Sequence, residues 1–159
     1  MMIKIKPARN ILLLLVLSLV WLDVSYGNYA FYRQVKNTCK TYRISARDDD
    51  MAFTKNDSGG TVFDLTLTSR LRNNFQMVMV VGFIAAGQAI KHQQYLKETM
   101  GNYRPVFPDE VVVTVTIPAG RNATIISARA NRDLILRLAN GEISTEDFMR
   151  EIKNTIEIM

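Results

Sequence analysis

The chain has 159 residues, of which 48% are apolar and 22% charged, with a formal net charge of +5. Those proportions exclude a collagen-like repeat, a polar low-complexity chain and a long acidic tail, and the length suits one folded domain rather than two. A single cysteine, Cys39, excludes an intramolecular disulfide, and a single histidine, His92, leaves no set of ligands for zinc.

Residues 1–27 differ from the rest. Lys4, Lys6 and Arg9 precede a run from Ile11 to Leu22 that is apolar except for Ser18, and Asp23 ends it. Ser25 and Gly27 then place small residues two apart. This order matches the basic, apolar and cleavage regions of a secretory signal peptide. The twelve residues of the run would rise roughly 18 Å as a helix, short of a hydrocarbon core of about 30 Å. The expectation is therefore cleavage near Gly27 and a secreted or periplasmic product, with membrane anchoring if the segment stays uncut. Its loss would lower the net charge from +5 to +3. A surplus that small, spread along the chain, points away from nucleic acid and allows only transient contact with a membrane surface.

In residues 28–60 an N-terminal arm leads into an acidic, glycine-rich loop. Tyr29, Phe31, Tyr32, Val35, Cys39 and Tyr42 recur loosely by threes and fours, which fits a short helix or an irregular arm. Cys39, with no histidine nearby, reads as a small buried apolar side chain. Asp48, Asp49 and Asp50, followed by Asn56, Asp57, Ser58, Gly59 and Gly60, read as a mobile loop, because consecutive acids repel and paired glycines cost backbone entropy. The acids lack the alternating spacing and late glutamate of a calcium loop. Asn56 and Asn122 each begin an Asn-x-Ser/Thr acceptor, relevant only in a eukaryotic secretory route.

Residues 61–159 read as a single α+β domain. Thr61–Thr68 alternates as a half-buried strand. Residues 69–100 fit one long helix, capped by Ser69 and ended by Gly101, with Leu71, Phe75, Val78, Gly82, Ala85, Ala89 and Leu96 near one face. The alternative is a strand over Phe75–Val81 followed by a helix. Within it, Gly82 and Gly87 invite comparison with a phosphate loop, but Gln88 and Ala89 stand where Lys and Ser or Thr are needed; helix packing explains both glycines better. Tyr103–Pro108 is a proline-stiffened extended linker. Val111–Ile117 and Ala123–Ala128 form a hairpin around Pro118–Asn122. Asn131 caps a helix to Ala139 that exits at Gly141, and Ser144 caps a last helix with Phe148, Ile152 and Ile156 on its apolar face.

The predicted architecture is a small antiparallel sheet packed on a long central helix, with a C-terminal helix pair. No catalytic, metal or cofactor set assembles in the sequence. The functional expectation is an exported, non-catalytic binding or assembly module of the cell envelope. Its partner is another envelope or extracellular protein or a small ligand, met through Tyr103, Arg104 and Phe107, residue types favoured at interfaces. One alternative is a small hydrolase or carbohydrate-active enzyme using carboxylates among Asp64, Asp109 and Glu110, which requires two of them about 5–9.5 Å apart in a pocket. The other is a membrane-tethered subunit with an uncleaved N-terminal helix.

Overall fold

Phe63, Leu65 and Leu67 alternate with Asp64, Thr66 and Thr68, and the structure turns that alternation into two faces of a strand. The computed structural model describes residues 27–70 and 74–159; the expected signal segment up to residue 26 lies outside the described residues, as does Leu71. Five strands form one sheet in the order β1-β2-β3-β4-β5. They are β1 (Met51–Lys55), β2 (Thr61–Thr68), β3 (Glu110–Ala119), β4 (Asn122–Asn131) and β5 (Glu157–Ile158). Among the described residues, four α-helices accompany them: α1 over residues 27–41, α2 (Phe75–Thr99), α3 (Arg132–Ala139) and α4 (Thr145–Glu151).

The fold is α+β, with a long central helix and a C-terminal helix pair, as the patterning predicts. Three of the strand pairings are antiparallel, whereas β2 and β3 run parallel, with Leu65 opposite Val113. A parallel pair needs a crossover of a dozen or more residues, and α2 supplies it. Phe63, Leu65, Leu67, Val111, Val113 and Val115 are all buried on the helix-covered face. Thr66 and Thr68 stay exposed on the other, and Thr114 and Thr116 beside them are half-buried.

Residues 69–100 resolve in favour of one helix from Phe75. Valines at 78, 80 and 81 favour strand locally, but a segment buried on nearly every side gains more from packing between the sheet and α3. Ser69 does not cap it. Ser69 is buried at the end of β2, its N–H donating to the Thr116 carbonyl, and Asn74 occupies the N-cap position. The helix leaves through Met100 in extended backbone rather than through Gly101. Gly82 and Gly87 are packing glycines: a Cβ at Gly82 would lie 2.7 Å from Val113 Cγ1, and one at Gly87 would lie 2.6 Å from Ala139 Cβ.

The segment read as a mobile loop contains a strand. Met51–Lys55 pairs antiparallel with β2, with Phe53 opposite Phe63. Five residues are too few to show a period, so this strand is dictated by its neighbour and not by its own pattern. Asn56 organises the turn, its Oδ1 accepting from the Gly60 N–H at 2.7 Å and the Ser58 hydroxyl at 2.8 Å. The preceding segment is a full helix. Phe31, Val35 and Cys39 form a stripe spaced by four, each wholly buried, and the Phe31 ring meets Phe63 edge-on at 4.8 Å.

The C-terminal half follows its capping signals. The Asn131 side chain accepts from the Leu134 N–H, and the Ser144 side chain from the Asp147 N–H. Gly141 exits α3 at φ 72°. The β3–β4 turn is tighter than predicted: Pro118 and Ala119 pair within the ladder, leaving Gly120 and Arg121 at the tip, with Gly120 at φ 63°. A left-handed first turn residue matches the twist of the flanking strands. The short edge strand β5, unforeseen in the sequence, pairs Ile158 with Ile126.

Candidate functional site

Helices α1 and α2 run in opposite directions across the sheet. The start of α1 meets the end of α2, where Gln93 holds Gly27, and the end of α1 meets the start of α2, where Tyr42 and Met77 line the same clefts. The second of these ends carries the more extensive site.

Helix α1 closes with a left-handed residue that is not glycine. The Arg43 N–H donates to the Lys40 carbonyl at 2.9 Å and the Ile44 N–H to the Cys39 carbonyl at 3.0 Å. This paired bonding is a Schellman closure, in which glycine is the relaxed occupant of the left-handed position. Arg43 holds φ 60° there. Lys36 and Lys40 precede it one turn apart on α1, Arg47 lies just beyond the helix, and Arg70 arrives from the exit of β2. Lys36 is paired with Asp48 at 2.7 Å and Arg47 with Asp50 at 3.5 Å. Among the described residues, Lys40, Arg43 and Arg70 have no carboxylate partner.

Three clefts lie in series along this end. The first, about 350 Å³, is lined by Lys36, Lys40, Arg43 and Arg70. It shares Arg43, Ile44, Ser45 and Arg70 with the second, about 540 Å³, which adds the paired Arg47 and Asp50 together with Tyr42, Thr68, Asn74 and Met77. The second shares Tyr42 and Met77 with the third, about 520 Å³, an apolar groove formed with Val80, Val81, Ile84 and Met149 and bordered by Glu146. Tyr42 and Met77 stand at the junction, 46% and 47% exposed. Large side chains left that open at the seam between a cationic and an apolar cleft are the kind that anchor interfaces.

The predicted interface residues lie at the other end. The Tyr103 hydroxyl donates to Gln93 Oε1 at 3.1 Å, and burial raises its phenol above the ordinary value while that hydrogen bond opposes the rise. Phe107 is partly buried against the core beneath Arg132, whose guanidinium carbon sits 5.8 Å from the ring centre. Arg104 is the exposed member of the three. His92 lines a groove of about 490 Å³ with Tyr29, Arg33, Leu96, Met100 and Tyr103.

The three carboxylates considered for catalysis have structural partners. Asp109 pairs with Arg132 and accepts from the Thr61 N–H. Asp64 accepts from the Thr54 hydroxyl, and Glu110 faces Arg129 at 3.8 Å. None of the three lines any of the clefts above. Cys39 is fully buried, and burial pushes its thiol up to about 11. Among the described residues, no cluster of side chains could hold a metal ion and no helix is long and apolar enough to cross a membrane.

Comparison with known proteins returns no matching family model, no matching curated relative and no matching solved structure.

Sequence reasoning passed over the Tyr42 end. Part of its signal was present, since Lys36 and Lys40 stand four apart on α1 and Arg43 and Arg47 follow them within seven residues. Arg70 and Met77 belong to other elements, and only the tertiary fold brings them alongside.

Proposed function

We propose that the chain is a binding module of the cell envelope and that its recognition site is the three-cleft groove centred on Tyr42 and Met77. The observation that carries this reading is the polarity of the groove. Lys40, Arg43 and Arg70, without a carboxylate partner among the described residues, occupy one end, exposed Tyr42 and Met77 the middle, and an apolar channel the other end.

The complementary ligand is an extended polypeptide segment of a partner protein, with acidic residues followed by apolar ones. Carboxylates suit the arginine forks by bidentate hydrogen bonding, and apolar side chains gain by leaving water against Val80, Val81, Ile84 and Met149. A groove made of clefts in series fits a chain lying along it better than a compact metabolite enclosed on all sides. Charge complementarity fixes the direction of the bound segment and speeds encounter, while the apolar half sets the lifetime of the complex.

The test is a titration of the whole chain with three synthetic peptides: acidic–apolar, acidic alone, and lysine–apolar of equal length. The acidic–apolar peptide is expected to bind tightest, and the lysine–apolar peptide weakest. The double change Arg43→Glu with Arg70→Glu should lower affinity for the acidic–apolar peptide by about tenfold or more, and Met77→Asp by a similar factor. Equal affinity for all three peptides, or affinities untouched by either variant, would contradict the reading.

A further inference from the structure

The groove of about 490 Å³ at the start of α1 joins the three clefts at its end. Asn37 lines both that groove and the cationic cleft of Lys36, Lys40 and Arg43. Arg33, Asn37 and Lys40 are spaced by four and three within α1, on the side turned away from the buried Phe31, Val35 and Cys39. Arg33 lines the groove, is exposed and, like Lys40, has no carboxylate partner among the described residues. The positive surface thus continues back along α1 into a fourth cleft.

That fourth cleft adds apolar surface to the charge. Tyr29 from α1 and Met100 from the exit of α2 line it while 59% and 54% exposed, together with half-buried Leu96. Its sides are tied to one another by Gln93, which is wholly buried. Gln93 Nε2 donates to the Gly27 carbonyl at 3.1 Å. Gln93 Oε1 accepts from the Tyr103 hydroxyl at 3.1 Å and from the Val106 N–H at 3.0 Å. One side-chain amide thus joins the start of α1, the end of α2 and the 103–106 segment. A cleft held in this way loses little freedom when a ligand enters it.

We infer that the partner polypeptide occupies this fourth cleft as well, and so carries a second apolar anchor on the far side of its acidic stretch, giving the order apolar, acidic, apolar. The inference rests on the Tyr42 groove being the recognition site. Tyr29 and Lys40 stand 11 residues apart, roughly 17 Å along α1, a span that about five residues of extended chain cover. The extra anchor therefore lies about five residues before the acids that meet Lys40, and a carboxylate between them reaches Arg33. A large side chain suits the far end, because Tyr29, Leu96 and Met100 offer apolar area that a small one would leave wet. Once the acidic and apolar parts are seated, the second anchor binds as an intramolecular step and raises affinity without a new encounter.

The test uses the full chain and the acidic–apolar peptide lengthened beyond its acidic end by about five residues, the outermost being tryptophan in one peptide and serine in the other. The tryptophan peptide is expected to bind about tenfold tighter than the serine peptide. Met100→Asp and, separately, Tyr29→Ala should each remove most of that gain while leaving affinity for the unextended peptide within about twofold. That unchanged affinity also reports that each variant is folded. Equal affinity for the tryptophan and serine peptides, or a gain that survives both variants, would overturn the inference and leave the Tyr42 reading standing. Failure of the unextended peptide to bind the unaltered chain would instead overturn the Tyr42 reading, and the inference with it.

Discussion

Arg43 carries the sharpest conflict between local and functional demands. A non-glycine residue at φ 60° costs of order 1 kcal/mol relative to glycine, and nothing in the helix closure itself needs the guanidinium. Arg43→Gly is therefore expected to raise thermal stability, by up to about 1 kcal/mol, while weakening capture of the acidic–apolar peptide. Thermal unfolding alongside peptide titration checks both signs at once, and a variant that loses stability would contradict the strain argument. Gln93 is the opposite case, a polar side chain whose whole role is internal. Gln93→Ala strands the Gly27 carbonyl, the Tyr103 hydroxyl and the Val106 N–H, with an expected loss of about 2–3 kcal/mol in denaturant unfolding. Cys39 gives a pH signature. Its thiol titrates at about 11 in the fold against an ordinary value of 9.0, because burial disfavours the thiolate. Its contribution is thus fully present below pH 9.0 and is lost as pH rises toward about 11. Unfolding midpoints should decline across that window, and Cys39→Ala should flatten the decline.

At the scale of elements, the glycines of α2 show what close approach requires. Gly87→Ala sets a methyl against Ala139 Cβ and Ile135, and Gly82→Ala sets one against Val113 and Leu67. Each is expected to destabilise by about 1–3 kcal/mol despite alanine's better helix propensity; a stabilised variant would show that α2 can part from the sheet or from α3 without cost. Elements with local instructions were legible in the sequence. The caps at Asn131 and Ser144, the glycine exit at Gly141 and the alternation of β2 and β3 each act within a few residues. Elements settled by partners were not. Strand β1 exists because β2 offers an edge, and the parallel pairing of β2 with β3 follows from the length of α2. The helix-or-strand ambiguity at Phe75–Val81 is resolved by burial on all sides, which periodicity cannot express.

Across the whole molecule, antiparallel α1 and α2 separate two ends with different chemistry. One holds Gly27 and the exposed tyrosines; the other holds the cations, Tyr42 and the apolar groove. The aromatic–basic character of 103–107 was visible in the sequence, but the fold gives two of its side chains internal work. The Tyr42 groove was invisible because its members come from residues 36–50, 68–84 and 145–149, joined only in space.

The groove's polarity is tested most directly by spin labels placed in turn at the two termini of the acidic–apolar peptide, read out by amide line-broadening in the full chain. With the label at the acidic terminus, the amides of Lys40, Arg43 and Arg70 should broaden and those of Ile84 and Met149 should not. With the label at the apolar terminus, the pattern should reverse. Broadening that is the same for both labels, or confined to residues outside the three clefts, would contradict the account.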